Sequence, residues 1–188
     1  MSGRPGSAEV PIPGFAAESE LERALTSERE LLQGLRWGEP RKGHPEGSVG
    51  AHVGDLLEGL EAWGEPEPRR SELRFIALVH DSFKHQVSDR LPATGENHHA
   101  MRARRFAERF THDERLLATI ELHDRPYALW RRARRRGRLD EGSFERMLER
   151  IPDPLLFLRF VELDGSTRGK DPEPVRWLRR QLGERGII

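Results

Sequence analysis

The feature that most constrains this chain is a histidine–aspartate pair that closes an apolar segment. Residues 75–79 read Phe-Ile-Ala-Leu-Val and run directly into His80 and Asp81, with Lys84 one helical turn further on. His80 lies four residues after Ile76 and therefore shares the buried side of a helix with it. Because burying an ionisable group without a partner costs on the order of several kcal/mol, the fold must bring partners to this pair.

Further residues of metal-binding type stand near the ends of other apolar segments. A lone histidine on an apolar face is most often a hydrogen-bonded core residue, so no single position is persuasive. The joint occurrence favours a shared metal site, because several buried ionisable groups would otherwise each need a separate partner. The additional candidates are His52, His99, His123 and Asp164.

The ligand types narrow the choice of metal. The chain has no cysteine, which excludes disulfides and thiolate sites. Imidazole and carboxylate ligands suit Mn, Fe, Co, Ni or Zn better than Mg or Ca alone. We therefore predict one or two divalent transition-metal ions, and Asp81, which adjoins His80, can bridge two of them.

The pattern along the chain predicts an all-α fold. Apolar residues recur at helical spacing between Gly- and Pro-containing breaks, and no segment alternates as a strand does. Ser48 and Asn97 are the expected N-caps of the second and fourth helices. Leu21, Leu25, Leu32 and Leu35 are expected on the buried side of the first helix. The predicted helices cover about 16–36, 49–63, 69–84, 98–110, 112–123, 126–137, 142–150, 153–164 and 172–182.

Length and composition predict one domain. With 188 residues the chain is long enough for one sizeable core. Residues 1–14 are rich in Gly, Pro and Ser and are predicted to form a flexible tail, and residues 15–188 the domain. No apolar stretch approaches 18 residues and no signal-type segment opens the chain, so we expect a cytoplasmic protein without membrane contacts.

The charge balance argues against a long nucleic acid as partner. Lys plus Arg number 32 and Asp plus Glu also 32, so the formal net charge is zero. The basic run at 131–138 favours a solvated helix face, and a local patch for a phosphate-rich ligand is the alternative. The sequence leaves the oligomeric state open.

The order of the candidate ligands carries a family resemblance. His52, the His80-Asp81 pair and Asp164 resemble the signature of the HD-domain superfamily of metal-dependent phosphohydrolases, over about residues 40–170. The segment 44–52 looks like the His-Pro-Glu-Gly-x-Val-x-x-His entry of HD domains attached to tRNA nucleotidyltransferases. The His-Asp-x-x-Lys spacing is common in HD phosphodiesterases. The resemblance implies a single-domain HD helical bundle with a metal site among its helices.

The resemblance also implies roles for the ligands. His52, His80, Asp81 and Asp164 would hold a first metal, and His99 and His123 a second, with Asp81 as the bridge. Either His98 or His99 has suitable spacing, and His99 is preferred because the small residue Ala103 follows it by four positions. Asp124, next to His123, is expected to orient an imidazole.

The implied function is hydrolysis of a phosphate ester of a nucleotide or another small phosphorylated compound by a metal-activated water. Asp81 and Lys84 are the expected catalytic residues, and Lys84 would neutralise charge on the phosphoryl group. The 165–170 loop is equally compatible with a polar connection between helices. The predicted substrate contacts are Lys84, His44, Arg125, Thr167, Arg168 and Lys170.

The sequence leaves two alternative functions open and argues against two specific substrates. A di-iron oxygenase of the same superfamily would use the same six ligands, and a non-catalytic ligand-binding module would use the same scaffold. Ser82 and Phe83 replace the Glu-Asp pair of guanosine tetraphosphate hydrolases, and the Gly-Tyr-Pro motif of cyclic dinucleotide phosphodiesterases is missing. Neither of those substrates is therefore expected.

Overall fold

Helices make up the regular structure of the computed structural model, which describes residues 9–43 and 45–188. No strand occurs within those two ranges, so the predicted all-α fold is confirmed. None of these helices combines the length and the apolar character needed to cross a membrane. The helices are α1 (Glu20–Ser27), α2 (Arg29–Arg36), α3 (Val49–Trp63), α4 (Arg69–Val79), α5 (His99–Ala107), α6 (Glu114–Leu122), α7 (Arg125–Arg136), α8 (Glu141–Leu148), α9 (Pro154–Gly165) and α10 (Glu173–Glu184), with short 3-10 helices at Lys84–Gln86 and Gly95–Asn97.

Side-chain caps fix where several helices begin. The Ser48 hydroxyl accepts a hydrogen bond from the Ala51 amide at 3.1 Å, which confirms the predicted start of α3. The predicted cap at Asn97 is wrong, because His98 caps α5 through its ring nitrogen. The Asn97 side chain instead holds the preceding loop, where it accepts from the Ser88 amide at 2.8 Å.

The segment predicted as one helix over 16–36 is two helices. Glu28 separates α1 from α2 with an extended backbone at φ −76° and ψ 121°. Leu21 is 37% exposed, contrary to expectation, whereas the other three predicted leucines are buried. The physical reason is a buried ion pair at 2.6 Å between Glu22 and Arg74, which turns the Glu22 side of α1 inward.

Helix α4 ends earlier than predicted. Its last residue is Val79 and His80 is the C-cap, so the chain turns through residues 81–83 before the short 3-10 helix that begins at Lys84. The sequence predicted that this region would be the end of one long helix, but in the structure it is a tight turn. The turn carries Asp81, which forms an ion pair with Lys84.

Two apolar clusters form the core, and α9 contributes to both. Leu156, Phe160 and Leu163 belong to the cluster built mainly from α1–α6. Phe157 and Val161 belong to the cluster shared with α7, α8 and α10. Because α9 is buried on two sides, its C-terminal end is fixed between the two halves of the bundle.

Part of the expected tail packs on the domain. Ile12 is 4% exposed and belongs to the first apolar cluster. A Cβ at Gly50 of α3 would lie 1.8 Å from the Pro11 carbonyl oxygen, so the glycine permits this close approach. Residues 1–8, the rest of the predicted tail, lie outside the described residues.

The turn after the His-Asp pair rests directly on α2. A Cβ built on Gly34 would lie 1.6 Å from the Ser82 carbonyl oxygen, a backbone atom that cannot move aside alone. The Ser82 hydroxyl donates to the Leu78 carbonyl at 2.9 Å and ties the turn to α4. The turn is therefore held between two helices.

We expect Gly34→Ala to destabilise the protein, because the added methyl forces the turn away from α2. The expected loss in the free energy of unfolding is about 1–3 kcal/mol, measured by urea denaturation. Gly183→Ala is the matched control, since nothing lies within 4 Å of a Cβ at this helical position. That variant should be neutral or stabilised by up to about 1 kcal/mol. Equal effects of the two substitutions would contradict the close contact.

Candidate metal centre

Helix ends from both halves of the bundle bring the predicted ligands together. Each polar side chain is carried by an amphipathic helix whose apolar face is buried, so the side chain at the helix end is buried or, for His99 and Asp164, partly buried. His52 comes from α3, the His80-Asp81 pair follows α4, and Asp164 lies near the end of α9. The remaining two are His99, at the start of α5, and His123, which follows α6.

One group of ligands forms around His80. Its Nε2 lies 3.4 Å from Asp81 Oδ2 and 4.0 Å from Asp164 Oδ1. His52 Nε2 lies 2.9 Å from the same Asp164 oxygen. Ligand atoms of His52, His80 and Asp81 all fall within 4.8 Å of one another, a spacing at which they could hold one metal ion.

A second group forms on the other oxygen of Asp81. Asp81 Oδ1 lies 3.3 Å from His99 Nε2 and 3.4 Å from His123 Nε2. Asp81, His99 and His123 also meet the 4.8 Å spacing for a shared ion. Each carboxylate oxygen of Asp81 thus faces a different set of imidazoles, which is the arrangement a bridging ligand requires.

Backbone carbonyls fix the orientation of two imidazoles. His80 Nδ1 lies 3.0 Å from the Ala77 carbonyl and His123 Nδ1 lies 2.8 Å from the Ile120 carbonyl. Because a carbonyl can only accept, each Nδ1 must carry the hydrogen. With Nδ1 protonated, the neutral form of each ring has its lone pair on Nε2, the atom that lies 3.4 Å from an Asp81 oxygen. Metal-binding histidines are held in this way in proteins.

Buried polar atoms at the centre are left without hydrogen-bond partners within the described part of the chain. They are His80 Nε2, His99 Nε2 and Asp81 Oδ1. The His80 and His99 nitrogens lie 3.3–3.4 Å from Asp81 oxygens, where facing lone pairs repel, and buried polar atoms without partners are costly. A cation between them would satisfy all three, so the donor set fits one or two divalent ions.

Nearby charges keep the two aspartates ionised. Burial opposes ionisation of Asp81, but the Lys84 ammonium and the neighbouring imidazoles outweigh it and hold the pKa of Asp81 well below its usual value. Burial likewise opposes ionisation of Asp164, whose pKa is lowered by Lys170 and His52. Both carboxylates are therefore negative at neutral pH and need no proton release before they bind a cation.

Burial keeps two of the imidazoles neutral. It lowers the pKa of His80 to about 4 and also lowers the pKa of His99, in both cases against the attraction of Asp81. Burial acts on His123 in the same direction, but hydrogen bonding to Asp81 and the charge of Asp124 raise its pKa. His80 and His99 therefore have free lone pairs at neutral pH.

An open cavity of about 640 Å³ adjoins the centre. Its polar side includes Asp81, His99 and His123, and its apolar side includes Tyr127 and Val175. All three lysines of the chain line it: Lys42, Lys84 and Lys170.

Two of these lysines contact the candidate metal ligands. Lys84 forms an ion pair with Asp81 Oδ2, and Lys170 Nζ lies 2.6 Å from Asp164 Oδ1.

Two residues that line the cavity, Lys42 and the aromatic residue Tyr127, were not recognised from the sequence. The scarcity of lysine among the basic residues was the signal that could have pointed to Lys42.

No family model, curated protein or solved structure matches the chain. The geometry of the site therefore carries the functional argument.

Several predicted substrate contacts lie away from the cavity. Arg125, Thr167 and Arg168 are not among the residues that line it. The Thr167 hydroxyl donates to the Asp164 carbonyl at 3.0 Å, which closes the end of α9, and Arg168 lines a separate cavity of about 580 Å³ beside Glu46. The predicted contact His44 lies outside the described residues. The substrate-binding roles of these residues stay predictions.

The structure places His99, rather than His98, against Asp81. His98 Nε2 lies 3.4 Å from Asp124 Oδ2, and its other ring nitrogen caps α5. Burial opposes ionisation of Asp124, but the hydrogen bond from His98 and the charge of His123 lower its pKa to about 2. His98, His99 and Asp124 form a third group whose spacing could hold a metal.

We expect the His80 imidazole of the metal-free protein to stay neutral at pH 6, with its hydrogen on Nδ1. Its pKa in the folded state lies below the ordinary 6.5, so its contribution to stability is complete above pH 6.5 and falls as the pH drops toward 4. Long-range proton–nitrogen NMR reports both the tautomer and the titration. A hydrogen on Nε2, or a midpoint near 6.5, would contradict the orientation described here.

Proposed function

We propose that this protein is an HD-type metal-dependent phosphohydrolase that acts on a nucleotide or another small phosphorylated compound. One observation carries the proposal. The ionised Asp81 presents its two oxygens to separate sets of imidazoles at the edge of a cavity lined by lysines. A carboxylate that can bridge two cations beside an anion-binding cavity suits phosphoryl chemistry better than simple cation storage.

The chain's own residues would divide between two ions. His52, His80 and Asp164 would complete one coordination sphere with Asp81, and the two remaining imidazoles would complete the other. Such ions, when bound, lower the pKa of a coordinated water and polarise the phosphoryl oxygens. The Nδ1 hydrogen bonds to backbone carbonyls would keep the imidazoles aimed, and the buried surroundings of His80 would exclude competing water.

The positions of the three lysines at the cavity support a phosphorylated substrate. Lysine is scarce in this chain, yet Lys42, Lys84 and Lys170 all line this cavity. An ammonium is a compact charge on a flexible stem, so it can contact both a carboxylate ligand and a phosphoryl oxygen. Lys84 and Lys170 would stabilise the charge that develops on the phosphoryl group.

The apolar side of the cavity supports a nucleotide in particular. Tyr127 is 48% exposed and lines the same cavity as the lysines, together with Pro126 and Val175. A phosphate bound at the polar side would leave an attached planar group beside the tyrosine ring, where stacking is favourable. A di-iron oxygenase would use the same ligands but gives no reason for three lysines.

We expect Asp81→Ala to remove most bound metal and to abolish hydrolysis, because it deletes the only residue shared by both ligand groups. The checks are metal analysis of the purified protein and a phosphatase and phosphodiesterase panel with added Mn²⁺ or Ni²⁺. His112→Ala is the control, since His112 is exposed and belongs to none of the ligand groups. Full metal content in the Asp81 variant would rule out the proposed centre.

His123→Ala should lower the metal content from two ions toward one. The substitution removes a ligand from only one of the two groups that share Asp81. Metal stoichiometry is measured by mass spectrometry of the metal-loaded protein under native conditions. An unchanged stoichiometry would mean that the second group does not hold an ion.

Lys84→Met should lower kcat by about tenfold or more while the metal content stays the same. The reason is that the ammonium stabilises transition-state charge and is not a metal ligand. Lys170→Met should act in the same direction, because Lys170 contacts the other carboxylate. Steady-state kinetics on an active phosphoester and metal analysis of both variants separate this role from metal binding. Unchanged kcat in both variants would exclude the lysines from catalysis.

A further inference from the structure

Helix α7 carries an unneutralised positive face. Between Arg125 and Arg138 the sequence contains seven arginines, and α7 itself has no acidic residue. Within the ranges that the structure describes, only Arg132 of these seven forms an ion pair, at 3.6 Å from Asp140. The others are Arg125, Arg131, Arg134, Arg135, Arg136 and Arg138.

Several arginines on other helices form ion pairs with glutamates. On the neighbouring α10, Arg179 pairs with Glu162 at 2.5 Å and Arg176 pairs with Glu173 at 2.8 Å. On α5, Arg104 contacts three glutamates. Such pairing neutralises much of the basic charge, so the overall net charge of zero conceals a local excess on α7.

The exposed arginines form a stripe that begins at the cavity. Tyr127 lines the cavity, and Arg131, Arg134 and Arg135 follow it by four, seven and eight residues, so all four share one side of the helix. All four side chains are exposed. We call Arg131, Arg134 and Arg135 the arginine stripe. From Tyr127 to Arg135 the helix rises about 12 Å, which matches roughly three to four stacked nucleotides of one strand.

Aromatic rings support two of these guanidinium groups. Arg131 lies over the Tyr127 ring at 5.8 Å and Arg134 over the Trp130 ring at 5.1 Å. Cation–π contact holds a guanidinium against a ring without an acidic partner, so its N–H edge stays available for phosphate oxygens. Two of the three guanidinium groups of the arginine stripe are therefore held in place without an acidic partner.

We infer that the arginine stripe binds single-stranded nucleic acid, with the phosphorylated end of the strand directed into the cavity. Regularly spaced phosphates complement the stripe, and a terminal base can stack on Tyr127. A cavity of about 640 Å³ has room for the terminal nucleotide of a strand. The position of the end in the cavity rests on the proposed function, whereas binding along the stripe does not require hydrolysis.

An anionic membrane is the less suitable partner for this face. A helix that lies on a membrane inserts apolar side chains between the lipids. The large apolar residues of α7, Leu129 and Trp130, are buried in the core, and Tyr127 is the only large apolar side chain exposed on this helix. The face thus offers charge and one aromatic ring, which fits a nucleic acid strand.

The test measures binding of a fluorescent ten-residue oligothymidylate with a 5′ phosphate, in the presence of a metal chelator and over a range of salt concentrations. The wild-type protein should bind it at least tenfold more tightly than it binds thymidine monophosphate. Arg131→Glu with Arg135→Glu should weaken binding at least tenfold and reduce the salt slope of log K by about 1.4, for two lost phosphate contacts.

The matched control is Arg29→Glu with Arg90→Glu. Both arginines are exposed and have no ion pair among the described residues, so the change in net charge is the same away from α7. This variant should bind within twofold of wild type. Equal loss in the two double variants would overturn the inference, as would binding to phosphatidylserine vesicles without binding to the oligonucleotide.

Two further measurements separate this inference from the proposed function. Tyr127→Ala should weaken oligonucleotide binding about tenfold with an unchanged salt slope, because stacking rather than charge is lost. Unchanged affinity would mean that the strand end does not bind in the cavity. The stripe variant should retain the wild-type metal content and hydrolysis of a small phosphoester. If the wild-type protein hydrolyses phosphoesters but does not bind the oligonucleotide, only the inference about the arginine stripe is contradicted. If it binds the oligonucleotide but has neither metal nor hydrolytic activity, only the proposed function is contradicted.

Discussion

The buried carboxylate of Asp81 is the interaction on which this structure depends. It sits in the core at the end of an apolar helix, where a negative charge is tolerated only if positive or polar partners surround it. Lys84 meets part of that requirement through an ion pair. The imidazoles of His80, His99 and His123 lie within 3.4 Å of the carboxylate oxygens and could hold a cation together with them. The ends of α4, α5 and α6 must converge to supply them, so the position of one charge fixes the relation of several helices.

The turn after α4 is held beside this centre by two contacts. Gly34 permits its close approach to α2, and the Ser82 hydroxyl ties it to α4. Helix α9, buried between the two apolar clusters, brings Asp164 to the other side of His80. Packing and charge thus act together, since the apolar clusters hold the helices and the polar centre fixes their ends.

The two basic residue types have different positions. Many arginines form ion pairs with glutamates, while the three lysines gather at the cavity. A guanidinium fixed to a carboxylate by two hydrogen bonds is less free to change partners than an ammonium. The arginines of α7 depart from this pattern, because aromatic rings rather than carboxylates hold Arg131 and Arg134.

The sequence by itself determined the helical fold, the cap at Ser48 and a set of six polar residues that the structure brings together. These follow from short-range rules: apolar periodicity, capping chemistry and the cost of burying an ionisable group. Only the tertiary structure decided the break at Glu28, the role of Asn97 in its loop, and the presence of Lys42 and Tyr127 at the cavity. The physical reason is that these features depend on contacts between segments distant in the chain, such as the Glu22–Arg74 ion pair, which no local pattern encodes.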